Sequence, residues 1–264
     1  MKIGPGLRLL RDGFCCMAVM SWLLFQPALV SAEDFNQELY AQLLLEYTLE
    51  TDSLPGTLVD YKGLKKEERW SALIRSLAAS KPSTLSTQAE KKAYRLNAYN
   101  VLAVDTVIEH YPVKSIRDVG SLFSPVWERE AIKIEGKPFS LSHIEHEILR
   151  PMGDPRVHAG IVCASKSCPS LLREPWRAED LDAQLDGAMR RWLTSRKKGL
   201  RIDRDTRDVW ISRIFKWFSE DFAGEQGTQL FLIQYAPPEE AAWLRKNRDD
   251  FSLSYFPYNW DLNE

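Results

Sequence analysis

The stretch 87–111 constrains the fold more than any other part of this 264-residue chain. Its apolar residues recur at helical spacing and Pro112 stops it, which predicts one long helix. On a helical projection Ala93, Leu96, Val101, Val104, Val107 and Ile108 share one face. Asn97 and Asn100 fall in the middle of that apolar stripe. A buried amide left unpaired costs about 1–3 kcal/mol, so each asparagine must find partners. Two readings stand: a hydrogen-bond brace that pins a loop, or amides on a pocket wall that orient a catalytic group or substrate.

Shorter elements surround this helix. Helices are predicted over 38–49, ended by Leu54-Pro55-Gly56, and over 70–79. A hairpin over 131–141 turns at Glu135-Gly136, and a short helix over 142–149 ends at Pro151. The stretch 156–162 reads as a buried strand leading into the cysteine loop. An amphipathic helix over 178–193 precedes a second hairpin, 200–202 with 209–211. Ser212 is positioned to cap a helix carrying Phe215, Phe218 and Phe222. Two further helices, 228–235 and 238–246, lead to an aromatic tail over 251–260. Helices and hairpins mix without a βαβ repeat, which predicts a single compact α+β domain, helix-rich with short antiparallel strands.

The first residues predict an export signal. Lys2, Arg8 and Arg11 form a basic front, 14–30 is almost wholly apolar or small, and Val30-Ser31-Ala32 closes it with small residues. The rival is an uncleaved anchor, since the run approaches the roughly 18 residues that span a bilayer. Pro27 and the small-residue ending favour cleavage after Ala32, and Cys15 and Cys16 leave with the signal. The expected organisation is a signal over 1–32, an N-terminal helical extension over 33–86 and the main domain over 87–264, in a periplasmic or secreted protein with no membrane span after cleavage. Removing the signal leaves 32 basic against 36 acidic residues, which offers no electrostatic case for nucleic acid or an anionic membrane as partner. Nine tryptophans and 44% hydrophobic residues suffice for a large core.

The stretch 158–169 gathers His158, Cys163, Ser165, Ser167 and Cys168 ahead of Pro169. An exported protein lives where disulfides persist, so a Cys163–Cys168 bond is one reading. It would stabilise by only about 2 kcal/mol in so small a loop. A nucleophilic Cys163 is the other, and it needs a base, a lowered pKa and an oxyanion pocket. On a regular strand His158 and Cys163 lie roughly 16 Å apart on opposite faces. His146, from another element, is therefore the first choice of base and His158 the second. Ser142-His143-Ile144-Glu145 fits a capping box in which Glu145 reaches back to the helix start. His143 and His146 match no zinc spacing with the cysteines, so neither a metal nor another cofactor is expected.

Several blocks in order now carry a resemblance. They are 95–102 (Arg95-Leu96-Asn97-Ala98-Tyr99-Asn100-Val101-Leu102), 144–150 (Ile144-Glu145-His146-Glu147-Ile148-Leu149-Arg150), the cysteine stretch, 214–222, and 258–263. Together they resemble the domain of unknown function 547 family, well over 94–222 and loosely elsewhere. The resemblance implies that Asn97, Asn100, Glu145, His146, His158, Cys163, Ser165, Ser167 and Cys168 belong to its motifs. Plant members carry an N-terminal leucine-zipper region that this chain lacks. His143 stands where the family has an acidic residue, which counts against it as a metal ligand.

Three expectations follow. The first is a thiol enzyme of hydrolase or acyltransferase type, acting on an envelope or extracellular substrate through Cys163, His146 or His158, and Asn97 or Asn100. The second is a non-catalytic exported binding domain with a structural Cys163–Cys168 disulfide. The third is a thiol–disulfide redox protein, weakened because four residues separate the cysteines instead of the usual two.

Overall fold

Asn36 opens the first helix by accepting the Leu39 N–H on its side chain at 3.0 Å, and α1 runs Gln37–Tyr47. The computed structural model describes Met1 and residues 35–264 except 53, 55, 122 and 123. The expected signal, with Cys15 and Cys16, lies outside the described residues. Strand β1 (Thr48–Glu50) follows α1 directly and pairs antiparallel with β2 (Thr57–Val59), so the N-terminal region carries a hairpin besides its helices. Helices α2 (Tyr61–Leu64) and α3 (Glu68–Ala79) complete it.

Helix α4 spans Gln88–His110, begun by a capping box between Thr87 and Glu90 and followed by Tyr111-Pro112. Every residue from 96 to 104 is buried, so this helix is covered on all sides and serves as the spine of the core. Hairpin β3 (Ile132–Ile134) and β4 (Lys137–Phe139) turns at Glu135 and Gly136, both at positive φ. The next helical segment, His143–Leu149, is a π-helix whose following Arg150 N–H bonds the Glu145 carbonyl. Its capping box does not form: Ser142 is itself helical and caps nothing, while Ser140 Oγ accepts the His143 N–H at 3.0 Å.

The predicted strand over 156–162 is instead helix α5, Val157–Gly160. Asp154 and Pro155 start it, taking the Val157 and His158 N–H groups on their carbonyls, and Asp154 Oδ1 accepts the Arg156 N–H. A short run that is buried on all sides has no period, so sequence cannot separate strand from helix there.

Helix α6 (Leu181–Thr194) packs on α5. Strands β5 (Leu200–Asp203) and β6 (Asp208–Ile211) form the second expected hairpin. Helix α7 is only Ile214–Trp217, with Ser212 Oγ accepting the Ile214 N–H at 3.3 Å; Phe218 and Phe222 lie beyond it. After α8 (Gly224–Tyr235) and α9 (Pro238–Lys246), β7 (Ser252–Tyr255) adds to β6 in parallel, whereas the other strand pairs named above are hairpins. The residues from 35 onward form one compact α+β unit, and no described helix is long and apolar enough to cross a membrane.

Candidate functional site

Helix α5 ends at Gly160 because Asn100 holds it there. Asn100 Nδ2 donates to the Gly160 carbonyl and its Oδ1 accepts the Val162 N–H, each at 2.9 Å. Asn97 does the same for another segment, pairing both backbone groups of Trp176 at 2.9 Å. Each amide pairs both its nitrogen and its oxygen with backbone, and neither lines the cavity described below. They brace the loops, and Asn100 sets where the chain turns toward Cys163.

Beyond Val162 the loop is laid against the C-terminal tail. The Lys166 N–H donates to the Asp261 carbonyl, the Ser167 N–H to the Asn259 carbonyl, and the Asn259 N–H to Ser167 Oγ. Ala164, between Cys163 and Ser165, is a buried alanine at φ 55°. A non-glycine residue in that region is strained by about 1–2 kcal/mol, and such strain gathers at functional sites. Lys198 is buried behind the loop, bonded to the Cys168 carbonyl, and burial lowers its ammonium to about 8.

Cys163 and Cys168 are both free thiols. The Cys163 N–H donates to Cys168 Sγ at 3.0 Å, and Cys163 Sγ lies 3.1 Å from both Ser165 Oγ and the Tyr258 hydroxyl. Burial by itself would raise the Cys163 thiol, but hydrogen bonds with Cys168, Ser165 and Tyr258 outweigh it and hold the thiol below its ordinary value. Cys168 moves the other way, pushed well up by burial and by the neighbouring sulfur. The two cysteines are thus chemically unequal.

Cys163 opens on a cavity of about 210 Å³ whose walls include Tyr99, Glu145, His146, His158, Phe218 and Tyr258. His158 is 2% exposed and its Nε2 bonds Asp221 Oδ2 at 2.7 Å. Asp221 is gripped by Arg150 through both oxygens, at 2.6 and 2.9 Å. Burial alone would raise the Asp221 carboxyl, but Arg150 and His158 draw it below its ordinary value. An ionised carboxylate only accepts, so His158 carries its proton on Nε2 and Nδ1 is its basic nitrogen. Burial lowers the His158 pKa against the opposing pull of Asp221, and Phe218 stacks on the imidazole at 4.3 Å.

His146 is differently employed. Arg150 Nη1 lies 2.9 Å from its Nδ1, and a guanidinium only donates, so Nδ1 is the acceptor and the proton sits on Nε2. Glu145, expected in a cap, instead accepts from the Tyr99 hydroxyl at 3.1 Å and lines the cavity. Burial raises its carboxyl. The π-helical winding of this segment turns the consecutive Glu145 and His146 toward one cavity, as π-bulges at functional sites do.

The structure therefore brings Cys163, Cys168, His158, His146 and Glu145 to one cavity, and stations Ser165 against the Cys163 sulfur. It leaves Asn97, Asn100 and Ser167 as braces behind the cavity. Sequence reasoning missed Asp221, Arg150, Tyr99 and Tyr258 as site residues. Asp221 and Tyr258 fall inside blocks recognised as motifs, but no local pattern ties either to Cys163. Among the described residues no cluster of histidine, cysteine and acidic side chains is arranged to hold a metal.

No curated protein and no solved structure matches the chain. Asp221 and Tyr258 lie C-terminal to the part of the chain that a family model matches. The resemblance read from the motifs holds over residues 82–193, which are similar to the family described as protein of unknown function, DUF547.

Proposed function

We propose that the chain is a thiol enzyme of acyl-transfer type, exported to act on an envelope or extracellular substrate. Cys163 is the nucleophile, His158 the base and Asp221 its orienting carboxylate. The observation that carries this reading is the 2.7 Å His158–Asp221 bond in the wall of the cavity that holds Cys163. A nucleophile, a base and a third group that orients the base are what such chemistry requires.

In the reaction the Cys163 thiol proton passes to His158 Nδ1 and Sγ bonds the acyl carbon. The leaving group departs with the proton from His158, leaving a thioester. Water, or an acceptor nucleophile, then attacks the thioester; His158 takes its proton and returns it to sulfur as the carbon–sulfur bond breaks. Asp221 holds the imidazole in one tautomer and stabilises the imidazolium that forms in each half. The helical winding of α5 removes the objection that His158 stands a strand's length from Cys163. His146, with Nδ1 engaged by Arg150, is the poorer base.

The test is alkylation by iodoacetamide against pH, with the modified residue mapped by mass spectrometry, alongside a burst assay with 4-nitrophenyl acetate. Cys163 is expected to react well ahead of Cys168, with a midpoint below the ordinary thiol value. C163S is expected to abolish the burst, H158Q to slow turnover and Y258F to move the alkylation midpoint upward. No selective modification and no burst would sink the reading. A second reading has support in the contact of Cys163 N–H with Cys168 Sγ, which holds the two cysteines side by side. A natively exported protein with two blocked thiols, whose reduction changes no activity, would favour that structural disulfide.

A further inference from the structure

The mouth of the cavity has a composition that thiol chemistry does not require. Trp127, Trp217 and Trp260 stand around it, Trp217 with 46% of its surface exposed. Trp260 is the hub, 5.8 Å from Trp217 in a stacked pair and 6.4 Å from Trp127 in a tilted one. Trp127 and Trp260 are half-buried, and an apolar cluster left partly open at a cavity rim marks a binding surface.

Two carboxylates, Glu128 and Glu145, line the cavity. Glu128 lines the cavity, is exposed and makes no ion pair among the described residues. Glu145 lies deeper and has no cation in direct contact. No lysine or arginine lines the cavity among the described residues. Two nearby cations are engaged with other groups: Arg150 with Asp221 and His146, and Arg117 with Trp260 from the neighbouring depression. Arg117 sits 5.0 Å from the Trp260 ring and lines that depression, not the cavity itself. Indole faces joined by a carboxylate are what draws an organic cation out of water, through the ring quadrupole and the opposite charge.

We infer that this mouth binds an alkylammonium group, so that the substrate of the site is a cationic amine held by Trp127, Trp217, Trp260 and Glu128. Calling the bound molecule a substrate rests on the acyl-transfer reading; the binding itself does not. The ammonium sits at the rim and the apolar body of the molecule extends inward toward Cys163.

Calorimetric titration of the full chain with choline and with 3,3-dimethylbutan-1-ol tests this, since the two differ only in a charged nitrogen against a neutral carbon. Choline is expected to bind about tenfold tighter than the neutral alcohol. E128Q is expected to weaken choline several-fold and leave the alcohol unchanged. W217L, at a position with 46% of its surface exposed, is expected to weaken choline likewise. C163S is expected to bind choline as the natural chain does, which separates this inference from the thiol reading. Equal binding of the two probes, no binding of choline, or an unchanged affinity in E128Q would overturn it.

Discussion

Asn100 illustrates how much one side chain determines here. Its two hydrogen bonds satisfy backbone groups that have no water to turn to, at the point where α5 ends and the cysteine loop begins. Replacing it with alanine leaves the Gly160 carbonyl and the Val162 N–H unpaired, at about 1–3 kcal/mol for each. Urea denaturation of N100A should show that loss, with alkylation of Cys163 no longer selective in the folded variant. His158 makes a second residue-scale prediction. Its folded pKa lies below the 6.5 of an unfolded chain, so above that pH both states are neutral and there is no penalty. As pH falls below 6.5 the unfolded state binds the proton first and stability declines, until the folded pKa is passed. Urea midpoints between pH 8 and 5 should decline in the natural chain and stay flatter in H158Q across that window.

At the scale of elements, tight contacts decide which substitutions are tolerated. Gly199 leads into β5 with its α-carbon against the Trp192 carbonyl at the end of α6, so an added methyl meets backbone that cannot yield. G199A should destabilise by about 3 kcal/mol, the upper end for overpacking. Gly187 lies on the exposed face of α6 with open space around it. There the same change should stabilise by about 0.5–1 kcal/mol, because glycine loses more backbone freedom on folding than alanine. Thermal melts of the two variants should move in opposite directions. The elements also divide by how well they could be read. Helix α4 and the hairpins β3–β4 and β5–β6 announce themselves by period, cap and turn. Helix α5 does not, because its four buried residues fit a strand equally well. The π-helical winding of His143–Leu149 has no signature in side-chain pattern at all.

For the molecule as a whole, the site is closed by the end of the chain. Asn263 ties the tail to the N-terminal hairpin, accepting from the Tyr61 hydroxyl at 2.6 Å and donating to the Thr57 carbonyl at 3.2 Å. The Val59 N–H donates to the Asn263 carbonyl at 2.8 Å. Tyr258, on the same tail, touches the Cys163 sulfur. A chain ending at Phe256 should therefore melt earlier and shift the alkylation midpoint of Cys163 upward, since Tyr258 no longer supports the thiolate. Recovery of the natural midpoint in that truncated chain would show the tail to be dispensable to the site.

The sequence by itself determined the α+β class, the spine helix with its two buried asparagines, and the gathering of His158, Cys163, Ser165, Ser167 and Cys168 into one short stretch. Those properties are local: they depend on spacing, turn residues and the cost of burying an amide. Only the tertiary structure decided that both asparagines brace loops, that Glu145 faces the cavity, and that His158 is the histidine oriented by a carboxylate. Asp221 and Tyr258 stand 58 and 95 residues beyond Cys163 in the chain, and their meeting at the site follows from how helices pack and where the tail docks. No periodicity in sequence encodes such a contact, because it is set by the packing of surfaces that the chain brings together only on folding.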